Sequence, residues 1–154
     1  MTTRTASQLS GFLPYQLSIT SNAVSALISE RYRKRFALKI TEWRVMAVLG
    51  DAGQLTQRDL TEATLMDKVA VNRACKVLEE RGLIARAANV HDGRSHLLEL
   101  TDEGRSIHSE VMPLAQATER ELFEGFDAQE EAALRAMLER IRMRAGELEK
   151  QAAR

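Results

Sequence analysis

A single cysteine, Cys75, stands among 154 residues. One thiol cannot close an intrachain disulfide and cannot make a CxxC metal knuckle. Prolines number two, and no low-complexity segment or internal repeat is visible. Aromatic residues make up 5%, too few for a platform on which single-stranded bases stack. No apolar run approaches the ~18 residues that a membrane-crossing helix needs. The opening stretch MTTRTASQLSGF lacks the hydrophobic centre of a signal peptide, so the cytoplasm is the expected location. Net charge is zero, so no overall basic excess points to nucleic acid.

What is present is a chain long enough for one domain with a real core. It is 44% hydrophobic and 29% charged, as expected of a soluble globular protein. The charges are unevenly placed: +4 over residues 1–57, −1 over 58–105 and −3 over 106–154.

Apolar residues recur at helical spacing in Leu9, Leu13, Leu17, Val24, Leu27 and Ile28, which predicts one long helix over roughly 10–36. Ser10 is its expected N-cap, leaving Pro14 in the first turn, where no hydrogen bond is lost. Thr41 is the expected cap of a second helix ending in Gly50-Asp51-Ala52-Gly53. Thr56 with Asp59 reads as a capping box on a short third helix, whose Leu60 and Ala63 face the core. Asp67 caps a fourth helix that runs to Arg81 and stops at Gly82. Its apolar stripe is Val71, Ala74, Cys75 and Leu78. Its other face shows Lys68, Ala70, Asn72, Arg73 and Lys76.

Leu83 to Arg86 reads as a short strand. The stretch HDGRSHLLELT, residues 91–101, then gives a turn signal at Asp92-Gly93 and an alternation that puts His96, Leu98 and Leu100 on one face. Thr101 closes that strand and caps a fifth helix, with Asp102 and Glu103 suiting its dipole. The fifth helix is expected to kink or break near Pro113. Asp127 with Glu130 opens a last helix carrying Leu134, Leu138, Ile141, Ala145 and Leu148. The fold class is therefore mainly α with a small β-hairpin wing: a winged helix-turn-helix plus a helical dimerisation layer. The boundaries are 1–40 for the N-terminal dimerisation helix, 41–101 for the DNA-binding lobe and 102–154 for the C-terminal dimerisation helices, all within one fold.

An α-helix fits the major groove and presents donors to base edges there. The fourth helix offers Lys68, Asn72 and Arg73, and Ala70 lets its backbone approach closely. Beside it the hairpin lays Arg94 toward the minor groove, where negative potential is concentrated. Thr56, Gln57, Lys76 and Asp92 complete the candidate DNA-binding set.

Residues 55–104 resemble the winged helix-turn-helix of the MarR family of bacterial transcription regulators. The resemblance is carried by Asp67-Lys68, by NRACKVLEERGLI, by Asp92-Gly93-Arg94 followed by Leu100-Thr101 and Gly104, and by ITEWRVMAVL before them. It implies a homodimer on pseudo-palindromic double-stranded DNA, usually repressing and usually released by a small molecule. It assigns Arg73 to a base contact and Arg94 to the wing tip, with Asp92 as a brace. Gly93 stands where a bulkier polar residue is frequent, which loosens the tip. The family's pockets lie between the DNA-binding lobe and the dimer helices and take aromatic carboxylates. Ser18, Asn22, Trp43, Arg44 and His108 are the candidate lining, with aromatic acids and their thioesters as candidate effectors.

Other classes are weighed against this. An enzyme needs a nucleophile–base pair, a phosphate loop or a metal signature, and none is found. His91, His96 and His108 form no HxxxH or HExxH pairing, so no metal or cofactor is expected. Cys75 is a candidate redox sensor, although its place on an apolar stripe favours a small buried hydrophobe. A helical adaptor that binds no DNA would not require Arg94 or the Lys68/Arg73 face. The run RYRKRF, residues 31–36, reads either as a solvated helix end or as contact with a DNA backbone or anionic ligand. The first, fifth and sixth helices each carry an apolar stripe that the DNA-binding lobe cannot cover, which implies a second copy of the chain.

Overall fold

Four of the side chains expected to start helices do so in the computed structural model, which describes residues 8–154. Residues 1–7, part of the stretch read as lacking a leader, lie outside that range. Thr56 Oγ1 accepts from the Asp59 N–H at 3.1 Å, and Asp67 Oδ1 from the Ala70 N–H at 2.9 Å. Thr101 Oγ1 accepts from the Gly104 N–H at 3.0 Å, and Asp127 Oδ1 from the Glu130 N–H at 2.8 Å. Each satisfies an N–H that the helix itself leaves without a partner.

The elements in order are α1 (Leu13–Phe36), α2 (Ile40–Ala52), α3 (Gln57–Thr64), α4 (Lys68–Glu80), β1 (Ile84–Ala88), β2 (His96–Leu100), α5 (Asp102–Leu122) and α6 (Ala128–Ala152). This is the expected class, helical with one antiparallel hairpin. Two caps differ from expectation. Residues Gln8–Gly11 form a 3₁₀ turn, closed by the Phe12 N–H on Leu9 O, so Phe12 precedes α1 and Ser10 does not cap it. Pro14 is still in the first turn, where its missing N–H is harmless. Thr41 lies inside α2, because the buried Glu42 carboxylate takes the Lys39 N–H at 3.3 Å and starts the helix earlier. α2 ends within Gly50-Asp51-Ala52-Gly53 as expected, at Ala52, with the Gly53 N–H on Leu49 O. Pro113 sits within an uninterrupted α5, so no break occurs there. Ala63 is exposed, leaving Leu60 alone as the buried anchor of α3.

Ends matter as much as starts. Ala37 takes a left-handed conformation (φ 50°) after α1, and the Arg81 guanidinium donates to Phe36 O at 2.7 Å and Ala37 O at 3.0 Å. Arg81 thus ties the end of α4 to the end of α1. Gly82, with φ 70°, turns the chain out of α4 as expected. Gly104 packs on the Leu83 carbonyl so closely that a β-carbon would lie 2.0 Å from that oxygen.

β1 and β2 pair antiparallel, with Ile84 opposite Leu100 and Ala88 opposite His96. Leu98 and Leu100 are buried, whereas His96, expected on the same face, is exposed at the outer end of the strand. The connection spans residues 89–95 and is not a two-residue turn at Asp92-Gly93. Gly93 is absent from the positive-φ glycines. Side chains shape this loop instead: Asn89 Oδ1 takes the His91 N–H, Asp92 Oδ1 takes the Arg94 N–H, and Asn89 Nδ2 donates to Ser95 Oγ. Leu55 bridges β2 by a reciprocal pair, Leu55 N–H to Leu98 O at 3.1 Å and Leu98 N–H to Leu55 O at 2.7 Å.

The chain divides into two compact units, Met1–Thr118 and Glu119–Arg154, with the boundary inside α5. The core lies in the first and joins Tyr32, Leu38, Trp43, Val45, Met46 and Leu49 to Leu60, Val71, Cys75, Leu78, Leu98 and Val111. A fully buried aliphatic side chain of this kind contributes about 1.5–3 kcal/mol. In the second unit, Arg135 pairs with Glu119 at 3.2 Å and Glu131 at 3.3 Å, and Phe123 meets Phe126 edge-on.

Candidate nucleic-acid interface

α3 and α4 are joined by Leu65-Met66-Asp67, with Leu65 in the left-handed region (φ 52°). The turn is short because Asp67 caps α4 at once. Val71, Ala74, Cys75 and Leu78 fill one face of α4 and leave Lys68, Val69, Asn72, Arg73 and Lys76 exposed on the other, with Ala70 half-buried. A helix held so firmly by its inner face presents its outer face as a rigid unit.

Eight of the nine predicted contact residues line three clefts around this face. One, between the start of α3 and the hairpin tip, is lined by Thr56, Gln57, Asp92 and Arg94 together with Arg58, Arg86, Asn89, Ser95 and His96. A second, between the start of α2 and α4, gathers Ala70, Arg73 and Lys76 with Lys39 and Thr41. A third brings Lys68 to Gln57 and Arg58. Asn72 is reached from α3 by the Gln57 Nε2–H, at 3.2 Å from Asn72 Oδ1.

Asp92 braces the Arg94 backbone, not its guanidinium. Among the described residues no carboxylate pairs with Arg94 or Arg73. Arg86, by contrast, is engaged by Glu79 at 2.7 Å. Arg58, Lys39 and Thr41 line these clefts without being among the predicted contacts. Arg58 had a usable signal, since it follows Gln57 in the first turn of α3. Its 3.4 Å pairing with Glu62 is exposed on both sides and is worth little. The basic run at the end of α1 divides: Tyr32 is buried, Arg35 reaches Glu110 at 2.6 Å, and Arg33 and Lys34 are exposed.

Of the candidate effector residues, the structure brings Trp43 and His108 together and leaves Ser18 and Asn22 apart from them. Trp43 is buried, its ring 5.9 Å from Tyr32 and 5.5 Å from His108. Arg44 Nη2 donates to Ser25 Oγ at 3.0 Å. Ser18 and Asn22 are exposed further up α1. They continue at helical spacing into Ser25, Ser29 and Tyr32, a polar row that the sequence reading caught only in part. Burial raises the Tyr32 phenol above its ordinary value, and a hydrogen bond from Ser29 opposes this. Cys75 is fully buried, and that burial pushes its thiol up to about 11. Among the described residues no group of His, Cys, Asp or Glu could hold a metal ion. No helix there is long and apolar enough to cross a membrane.

A helix-turn-helix with a cationic second helix, flanked by a hairpin with an arginine at its tip, defines a winged helix-turn-helix DNA-binding protein. Residues 38–95 match the model of the MarR family. An HTH-type transcriptional repressor of Mycobacterium tuberculosis is 25% identical over 132 residues, 85% of this chain and 91% of that one. The crystal structure of a MarR/EmrR family transcriptional regulator from Acinetobacter sp. ADP1 superposes with TM-score 0.81 at 27% identity, covering 88% of this chain and 95% of that one. A MarR mutant from E. coli, crystallised with operator DNA, has the same fold, with TM-score 0.74 at 24% identity and coverage of 84% and 92%. The MarR-family match thus covers residues 38–95, and the fold of the chain is that of the MarR-family transcription regulators it resembles.

Proposed function

We propose that this chain is a cytoplasmic repressor that binds a pseudo-palindromic double-stranded operator as a homodimer and is released by a small-molecule effector. The observation that carries the reading is the outward face of α4, where Lys68, Asn72, Arg73 and Lys76 stand exposed, together with the exposed Arg94 of the wing. α4 enters the major groove, Arg73 meets base edges, and Arg94 reads the width and charge of the adjacent minor groove. Lys39, Arg58 and Lys68 take backbone phosphates on either side. The repressor name of the mycobacterial relative and the operator complex of the E. coli protein support this assignment.

Dimer formation is supported by large apolar side chains left exposed. Leu13, Leu17 and Ile19 are exposed on α1, and Met137, Leu138, Ile141, Met143 and Leu148 on α6. A second copy would cover them about a two-fold axis and set two α4 helices about one turn of DNA (~10 bp) apart. The effector is an aromatic carboxylate or its thioester, received near Trp43, Arg44 and His108. A thermal-shift screen of such compounds identifies it through stabilisation by mass action.

The test of DNA binding is a gel shift against the promoter of its own operon, repeated over a salt series. The logarithm of the binding constant should fall linearly with the logarithm of salt concentration, with a slope of about −0.9 per neutralised phosphate. Association indifferent to salt would overturn the proposal.

A further inference from the structure

We infer that Gln57 decides which atom of Asn72 faces the DNA, and that the pair makes α4 reject cytosine at one position of each half-site. The inference rests on the DNA-binding reading and adds a specificity rule to it.

Gln57 is the first residue of α3, its backbone set by the Thr56–Asp59 capping box beside it. Asn72 lies on the exposed face of α4, next to Val71, which is fully buried and anchors that turn. The Gln57 Nε2–H donates to Asn72 Oδ1 at 3.2 Å. A side-chain amide has an acceptor end and a donor end pointing apart. Turning Oδ1 back toward Gln57 therefore turns Nδ2 outward.

The consequence follows from the edges of the bases. An asparagine free to swivel pairs bidentately with adenine, taking N6–H on its oxygen and giving N–H to N7. With the oxygen tied back, only a donor is offered. Guanine accepts at N7 and O6, adenine at N7, and thymine at O4. Cytosine presents its own N4–H₂ donor, so two donors meet with no acceptor between them, and each loses its water. Selection is then by rejection of one base, not by preference for one. Gln57 acts as a positioning residue through Asn72.

The experiment is a binding profile at a single salt concentration over half-sites randomised one position at a time. It compares the full-length wild type with Gln57→Met, Gln57→Glu and Asn72→Ala. The wild type should bind cytosine about threefold to tenfold more weakly than guanine or thymine at one symmetric position. Gln57→Met has no amide to hold Asn72, so cytosine should come within about twofold of the others and adenine should gain. Gln57→Glu can only accept; it takes the Asn72 N–H, turns Oδ1 outward and should make cytosine a favoured base at that position. The added negative charge lowers affinity at every position alike and leaves relative preferences untouched. Asn72→Ala should flatten that position alone. A profile unchanged by both Gln57 variants, or a cytosine penalty that survives Asn72→Ala, overturns this inference alone. A wild type that binds no duplex overturns the DNA-binding reading with it.

Discussion

The His108 imidazole is seated directly on Gly50: a β-carbon at position 50 would lie 2.3 Å from His108 Nε2 and 2.5 Å from Cδ2. The same ring stands 5.5 Å from the Trp43 ring, so it is confined between two parts of α2. α5 therefore meets α2 through a histidine that requires a bare backbone beneath it.

This gives a prediction whose sign depends on the partner. Within a helix alanine is better than glycine by about 0.5–1 kcal/mol. In the wild type, Gly50→Ala must push His108 off Trp43 and should cost about 1–2 kcal/mol net. In a His108→Ala background the same change should stabilise the protein by about 0.5–1 kcal/mol. Urea unfolding of the four proteins checks this. An equal effect in both backgrounds would show that the two residues do not compete for space.

The end of α1 supplies a second. Ala37 bears a left-handed conformation that glycine adopts without penalty, so Ala37→Gly should stabilise by about 0.5–1 kcal/mol. Arg81→Met removes two hydrogen bonds from the final carbonyls of α1 and should destabilise by about 1 kcal/mol, a modest figure because the site is exposed. For a chain of this size each change is a melting-temperature shift of about 2–4 °C per kcal/mol. A Tm lowered by Ala37→Gly would contradict the strain assigned to this residue.

Cys75 makes a prediction in pH. Burial raises its thiol from 9.0 to about 11, so the folded chain holds the proton to higher pH than the unfolded chain does. The associated stability is complete below pH 9 and is lost as the pH rises through 11. Native protein should react slowly with a thiol reagent at pH 8, and urea-unfolded protein quickly. Cys75→Ser should cost about 1–3 kcal/mol by placing a hydroxyl in the apolar stripe, with DNA binding retained. Release of the wild type from DNA by peroxide, lost in Cys75→Ser, would reinstate the redox-sensor reading.

Arg73 and Arg94 should separate in a base-by-base profile. Arg73→Ala is expected to cost about 1–3 kcal/mol of binding and to relax preference at one or two symmetric base pairs. Arg94→Ala should lower affinity and weaken preference for A·T-rich flanks while leaving the major-groove consensus intact. Both should remain folded, since each side chain lies outside the buried core. Wild-type binding by Arg94→Ala would reduce that arginine to a solvated turn residue.

The legible features were those whose cause is local. Asp67, three residues before an N–H in need of a partner, and Gly82, at a left-handed turn, announce their helix ends within a few residues. So does the Val71–Leu78 stripe of α4. The misreadings arose where a distant or subtler contact prevailed. Ser10 lost the start of α1 to a 3₁₀ turn, and Thr41 lost α2 to the buried Glu42 carboxylate. Asp92-Gly93 looked like a two-residue turn, but the side chains of Asn89 and Asp92 build a longer loop. Gly104 was noted as part of a motif; its physical reason, the Leu83 carbonyl 2.0 Å from where its β-carbon would be, comes from a residue 21 positions earlier. Among the candidate contacts, the outward face of α4 followed from periodicity. Arg58 was signalled by its place after Gln57, whereas Lys39 and Thr41 could be found only once folding had brought the start of α2 beside α4.

The reciprocal bond pair between Leu55 and Leu98 divides the wing into two mechanical parts. A lone two-stranded hairpin is marginal in water, and this one is clamped at mid-strand to the segment leading into α3. The root behaves as a fixed mount, and amide exchange at Leu98 should be as slow as in the core. Beyond the mount, residues 89–95 bury almost nothing, and Val90 is 88% exposed. The tip is thus an overhang whose length and composition can drift without endangering the fold. Under the proposed function, the wing's reach along DNA is a trait that can be retuned independently of the helix beside it.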